Sequence, residues 1–129
     1  MAPQNLMNKK IKLKPFYESS VYMGSFDNKL NATFSEQDLF EFISGLQDSY
    51  EIMIPVRISP TTYLSGSDYK ERGWKISAID YPPLETSPRI INDFTICLGE
   101  GLLKRFSQHK ISVVTPDNII TIESDDSET

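Results

Sequence analysis

The sequence has little of what most catalytic and metal-binding motifs require. It contains one cysteine, Cys97, and one histidine, His109. A single cysteine excludes an internal disulfide and a multi-cysteine zinc site, and a single histidine excludes paired-histidine metal sites. We therefore predict no metal site and no cofactor, and the spacing identifies no catalytic residue. Cys97 lies between apolar neighbours in a helical pattern and is expected to be a small buried side chain.

Long apolar runs and an excess of positive charge are also missing. No stretch reaches the roughly 18 apolar residues of a membrane-spanning helix, and residues 1–14 lack the apolar core of a signal peptide. The net charge of −5 and the pI near 4.8 do not suit a general nucleic-acid binder, which needs a basic face. We expect a cytoplasmic protein without a membrane or nucleic-acid partner.

Composition and length are those of one ordinary globular domain. The 129 residues are 39% hydrophobic and 24% charged, which is enough to bury a core without disulfides. We predict a flexible lead over residues 1–10, a single α+β domain over residues 11–123 and an acidic disordered tail over residues 124–129. The lysine-rich segment 9–14 fits either an edge strand or an arm that reaches an anionic partner.

The strongest structural pattern is a pair of strands joined by a glycine-bracketed loop. Residues 52–59 alternate between β-branched and mixed side chains, which is the period of a half-buried strand. Pro55 and Pro60 cannot donate hydrogen bonds to a ladder, so this strand is expected at a sheet edge or at a bulge. The loop is predicted over residues 65–73. The return strand, residues 74–81, is apolar on both faces and is therefore expected to be central.

Two helices are predicted, one on each side of this hairpin. Ser35 and Asp38 form a capping arrangement, and apolar side chains then recur on one helix face over residues 39–50. Ser87–Pro88 is a second helix start, with a cap residue followed by proline in the first turn. Apolar positions on one face continue over residues 91–106.

The order of these elements predicts a ferredoxin-like fold. A strand over residues 16–26 precedes the first helix, and strands over residues 111–115 and 119–123 follow the second. The order is β-α-β-β-α-β with one further hairpin strand, which is the split β-α-β arrangement. Right-handed crossovers place both helices on one face of the sheet. A tautomerase-type arrangement of repeated β-α-β units is the alternative.

The sheet face away from the helices is the predicted functional surface. It combines cationic, aromatic and hydroxyl side chains, which suit an anionic ligand because arginine binds carboxylate or phosphate through two hydrogen bonds. The same face also fits an oligomer interface, or a solvated surface with scattered aromatic residues. The candidate ligand-binding residues are Arg57, Ser59, Lys75, Tyr22 and Tyr81.

Two functions of different classes fit these features. The first, which we favour because no motif names a reaction, is a small homo-oligomeric binding module. It would hold a partner protein or a small anionic ligand, and its size suits a phage or a mobile element. The alternative is a small-molecule enzyme with its active site between subunits. In that enzyme Arg57 or Lys75 would stabilise an anion, and Asp80 or Glu51 would move a proton. A purely structural ion pair of Arg57 with one of these carboxylates is the competing hypothesis.

Overall fold

The computed structural model describes residues 17–50, 53–80 and 87–125, together with Ile11. The elements in chain order are β1 (Glu18–Gly24), β2 (Phe26–Asp27), β3 (Ala32–Thr33), α1 (Glu36–Asp48), β4 (Val56–Leu64), β5 (Lys70–Ile79), α2 (Pro88–Arg105), β6 (Lys110–Val114) and β7 (Ile119–Glu123). The predicted lead, the lysine-rich segment apart from Ile11, residues 126–129 of the predicted tail, Glu51 and Tyr81 lie outside the described residues.

A five-stranded antiparallel sheet in the order β4-β5-β1-β6-β7 forms the centre of the fold. Its first four strands follow the order of the split β-α-β arrangement, and β7 is added by a hairpin from β6. The predicted α+β, ferredoxin-like fold is thereby confirmed, with β4 at the edge and β5 inside the sheet. Pro60 lies in β4, where an edge strand tolerates a residue without an N–H. β2 and β3 form a separate two-stranded ribbon.

The central hairpin has a shorter turn than the glycine pattern predicted. The ladder continues to Leu64 opposite Lys70, so residues 70–73 of the predicted loop belong to β5. The turn is closed by the Ser65 N–H, which donates to the carbonyl oxygen of Tyr69 at 3.1 Å. Backbone pairing does not require apolar side chains, so a polar stretch can extend a strand. This extension brings Glu71 onto the sheet.

The two predicted helix starts are confirmed. Ser35 caps α1 in a full capping box with Asp38, and Ser87 caps α2 by accepting a hydrogen bond from the Ile90 N–H. Cys97, in contrast, is exposed, so its predicted burial is wrong. Residues adjacent in sequence lie about 100° apart around a helix, and the apolar neighbours of Cys97 therefore do not bury it.

The core lies between the two helices and one face of the sheet. Strand alternation directs Val21, Ile76 and Val113 into this core, where all three are fully buried. Their immediate neighbours in the same strands, Tyr22, Lys75 and Ser112, point to the opposite side of the sheet. This second side is called the open face below. No helix in the described part of the chain is both long and apolar enough to cross a membrane.

Candidate functional site

One end of the open face carries a group of mutually paired polar side chains, which we call the Glu18 cluster: Glu18, Ser20, Arg57, Lys75 and Ser77. A single oxygen, Glu18 Oε1, lies 3.3 Å from Arg57 Nη2 and 3.6 Å from Lys75 Nζ. The hydroxyl oxygens of Ser20 and Ser77 lie 2.8 Å apart and share a hydrogen bond. The strand register aligns these residues, with Ser77 opposite both Ser20 and Arg57.

The Glu18 carboxylate is held in its charged form by these neighbours. Partial burial by itself would raise the pKa of Glu18. The hydrogen bond from Ser77, the charges of Lys75 and Arg57 and the hydrogen bond from Ser20 together outweigh that effect, and the pKa lies below its ordinary value. The carboxylate therefore already neutralises part of the positive charge that the sequence suggested for an anionic ligand.

The structure places four of the five predicted ligand-binding residues on the open face. Tyr22, Lys75 and Ser59 form one row across β1, β5 and β4, and Arg57 lies in the next row. Lys75 Nζ lies 5.7 Å from the centre of the Tyr22 ring, within the range of a cation–π contact. Arg57 pairs with Glu18, a carboxylate that no pattern in the sequence indicated. Whether these residues bind a ligand stays a prediction.

Beyond Tyr22 the open face leads into a second feature, a cleft of about 520 Å³. This volume falls within the roughly 300–1,000 Å³ that is typical of small-molecule sites. Strands β1, β4, β5 and β6 of the sheet, the β2–β3 ribbon and the connection from α2 to β6 line it. Its aromatic walls are Tyr22, Phe26 and Tyr63, and it is also lined by one carboxylate, Glu71, and by His109 and Lys110.

A neighbouring glycine makes room for Tyr63 in the cleft, and a hydrogen bond holds its hydroxyl. A Cβ atom on Gly73 would lie 2.7 Å from Tyr63 Cε2 and 2.2 Å from the Met23 carbonyl oxygen, so only glycine leaves room for the ring. The Tyr63 hydroxyl donates to the Trp74 carbonyl oxygen at 3.0 Å. Burial, assisted by Tyr22 and the negative charge of Glu71, raises the pKa of Tyr63 to about 12. The phenol is therefore neutral at physiological pH.

Glu71 supplies the negative charge of the cleft. It lies opposite Tyr63 in the ladder and accepts a short hydrogen bond from the Tyr69 hydroxyl at Oε2. Its other oxygen lies over Gly24, where an added Cβ would come within 2.1 Å of Oε1. Within the described ranges no lysine or arginine forms an ion pair with Glu71. An aromatic cleft with one such carboxylate suits a ligand that carries a positive charge.

Lys110 and His109 stand at the opposite wall of the cleft. Lys110 Nζ lies 3.4 Å from Glu123 Oε1, and both side chains are exposed. The carbonyl oxygen of His109 accepts the Ser124 N–H at 2.9 Å, so this first residue of the predicted tail is hydrogen-bonded. In the described part of the chain no group of three or more histidine, cysteine, aspartate or glutamate side chains could hold a metal.

Sequence reasoning missed the cleft because it assigned Tyr69 and Glu71 to a loop. A signal was present: Glu71, Gly73 and Lys75 occupy alternate open-face positions in β5, and Tyr69 precedes them at the same two-residue spacing. Gly66 and Gly73 were both interpreted as loop boundaries. Only Gly66 lies in the turn, with a φ of 76°.

The fold has known counterparts. No protein-family model and no curated protein sequence matches this chain. It is similar to a solved structure of a phage SAM lyase in complex with S-methyl-5'-thioadenosine, with 15% identity over 91% of this chain and 97% of that chain and a TM-score of 0.65. It is also similar to a phage SAM lyase in the apo state, with 16% identity over 92% and 98% of the two chains and a TM-score of 0.66. At these identities the likeness shows the fold alone.

Proposed function

We propose that this protein binds S-adenosylmethionine in the cleft and cleaves it as a lyase, releasing S-methyl-5'-thioadenosine. Glu71 is the observation that carries the proposal. It is a carboxylate in an aromatic cleft, and no described protein cation pairs with it. The similarity to phage SAM lyases over more than nine tenths of the chain supports the choice of ligand.

The chemistry of the cleft matches the parts of S-adenosylmethionine. The molecule combines an adenine ring, a positively charged sulfonium, an ammonium group and a carboxylate. Adenine can stack on the aromatic walls, and a sulfonium is attracted both to ring faces and to the Glu71 carboxylate. Tyr63, as a neutral phenol held by Trp74, keeps its wall in place across the physiological pH range.

The predicted anion-binding residues fit the carboxylate end of the same ligand. Tyr22 belongs both to the cleft and to the row with Lys75 and Ser59. We place the ligand carboxylate over this row, where it would compete with Glu18 for Lys75 and Arg57. This placement retains the proposed roles of Arg57, Ser59, Lys75 and Tyr22; Tyr81 is proposed from the sequence alone.

The proposed cleavage consumes no water. The bond between the sulfonium sulfur and the side-chain γ-carbon of the amino acid breaks, and its electron pair remains on sulfur as the neutral thioether of S-methyl-5'-thioadenosine. The four-carbon fragment either closes a ring through its own carboxylate oxygen, with no proton transfer, or loses a β-proton to a base, for which Glu71 is the carboxylate in the cleft, and forms a double bond. Ring closure neutralises a negative and a positive charge, so partial desolvation of the ligand in the cleft would favour it.

The homo-oligomeric state is a further part of this proposal. Phe26 and Ile119 are exposed large apolar side chains near or on the open face, and a second subunit could cover them while closing the cleft. An active site between subunits was the alternative function derived from the sequence. Sedimentation velocity at micromolar concentration should give a species heavier than the 14.7 kDa chain. A clean monomer would remove this part of the proposal.

A cytoplasmic location, where the proposed substrate is found, also remains a proposal.

Product analysis tests the proposed activity. Purified protein is incubated with S-adenosylmethionine, and the products are separated and identified by mass spectrometry. We expect S-methyl-5'-thioadenosine together with either the lactone or the unsaturated amino acid, and the identity of that fragment selects the route. Binding of S-adenosylmethionine without either product would support the binding-module function instead. The absence of both binding and cleavage would refute the proposal.

A further inference from the structure

We propose that Gly24 and Tyr69 are positioning residues that hold the Glu71 carboxylate in the cleft, and that this fixed carboxylate makes the site prefer a cationic ligand. The inference rests on the proposed function, since that function gives Glu71 its role. It goes further by assigning roles to two residues that would not themselves contact the reacting atoms.

Tyr69 acts from the hairpin turn. The backbone hydrogen bond from Ser65 to Tyr69 closes the turn, and β5 begins one residue later. Glu71 lies on the open face of β5, and the side chain of Tyr69, two residues earlier, reaches its carboxylate. The Tyr69 hydroxyl donates to Glu71 Oε2, which leaves Oε1 available to a ligand. The turn therefore sets the position of the donor that orients the carboxylate.

Gly24 acts from the neighbouring strand. It ends β1 opposite Gly73, and its missing side chain leaves the space that Glu71 Oε1 occupies. A Cβ atom there would meet the end of a flexible side chain rather than backbone. An alanine at this position would therefore displace the carboxylate with little disturbance of the fold. Gln108 Oε1 would be 3.9 Å from the same Cβ, so Glu71 is the principal neighbour.

Together the two residues restrict a side chain that is otherwise free to rotate. A free glutamate loses rotamer freedom when it pairs with a ligand, whereas a glutamate already held by a donor and a matching space has less to lose. The preference should therefore appear as the ratio of the affinity for S-adenosylmethionine to the affinity for S-methyl-5'-thioadenosine. The first ligand carries the positive sulfur, and the second is neutral and shares its adenosine part.

The test compares Tyr69→Phe and Gly24→Ala with two matched controls, Tyr17→Phe and Gly45→Ala. Tyr17 donates to Asn92 at 2.8 Å at a distance from the cleft, and a Cβ at Gly45 would meet nothing within 4 Å. We expect each cleft variant to raise the KM for S-adenosylmethionine by roughly 3- to 10-fold, with the Kd for S-methyl-5'-thioadenosine unchanged. The controls should change neither value. A wild-type affinity ratio in both cleft variants, or an equal loss for both ligands, would overturn the inference.

A second measurement does not depend on activity. The hydrogen bond to Glu71 raises the pKa of Tyr69, so the ring titration, followed by nuclear magnetic resonance of labelled tyrosine, should shift to lower pH in Glu71→Gln. An unchanged Tyr69 titration would refute the positioning contact even if the protein cleaves S-adenosylmethionine. If the titration shifts but the wild-type protein neither binds nor cleaves S-adenosylmethionine, the proposed function fails while the contact stands, and the assigned cation preference fails with the function.

Discussion

The Glu18 cluster and the cleft occupy the same sheet face but differ in how their charges are satisfied. In the Glu18 cluster one carboxylate lies between an arginine and a lysine, at 3.3 and 3.6 Å. In the cleft, Glu71 is held by a neutral phenol and a neighbouring glycine, and no described cation pairs with it. A charge that is positioned but not neutralised is available to a ligand. The comparison therefore favours the cleft as the proposed ligand site, with the Glu18 cluster at its edge.

The largest effect should follow from removing the charge of the cleft. In Glu71→Gln we expect kcat/KM for S-adenosylmethionine to fall by roughly 10- to 100-fold, since a hydrogen-bonded charged partner of the ligand is lost. Steady-state assays of product formation measure the change. Glu100→Gln, on the exposed side of α2, is the matched control and should behave as wild type. Equal activities in the two variants would contradict the distinction between the cleft and other acidic positions.

The next effect concerns the backbone that supports the cleft. In Gly73→Ala the new Cβ would lie 2.2 Å from the Met23 carbonyl oxygen, which a side-chain rotation cannot relieve. We expect the free energy of unfolding to fall by about 1–3 kcal/mol, as for other overpacked sites. Urea denaturation measures this loss, with Gly45→Ala as the control because its Cβ meets open space. A wild-type stability in Gly73→Ala would show that β1 and β5 can separate locally.

Removing the carboxylate of the Glu18 cluster should cost less. Glu18→Gln leaves Arg57 and Lys75 without their shared partner, and we expect a loss of about 0.5–1 kcal/mol of stability at neutral pH. The pKa of Glu18 is lower in the folded than in the unfolded protein, so its stabilisation is fully present above the unfolded value and is lost as the pH falls through the folded value. Wild type and Glu18→Gln should therefore converge in acid. A difference that persists there would mean that the charge of Glu18 is not the cause.

The smallest effect should come from the most exposed member of the cluster. If Arg57 binds the ligand carboxylate, Arg57→Ala should weaken S-adenosylmethionine binding by up to about 5-fold, with thermal stability nearly unchanged. If Arg57 only pairs with Glu18, stability should shift slightly and binding should remain intact. Calorimetric binding and thermal unfolding of Arg57→Ala, with exposed Arg89→Ala as the control, separate these cases.

Local patterns in the sequence were sufficient for the main sheet and the two helices, although not for the β2–β3 ribbon. Pro60 in β4, the two-sided apolar character of β5 and the caps at Ser35 and Ser87 are local signals, and each predicted its element. Parity along the strands also predicted which face carries Arg57 and Lys75.

Two features could not be predicted because they depend on distant pairing. The contact between Glu18 and Arg57 requires the register of β1 and β4 on the two sides of β5, which no local pattern specifies. The cleft requires β5 to extend to Lys70, and Gly73 was interpreted as the end of a loop. Gly73 does not form a turn; its missing side chain lets Tyr63 and the Met23 carbonyl oxygen approach closely.

The most direct measurement is the rate of S-methyl-5'-thioadenosine formation from S-adenosylmethionine by wild type and Glu71→Gln purified in parallel. The account predicts multiple turnovers by wild type and a much slower reaction by the variant, whose melting temperature should match that of wild type. Formation no faster than in buffer by wild type, or equal rates for the two proteins, would contradict the assignment of the cleft as the site of cleavage.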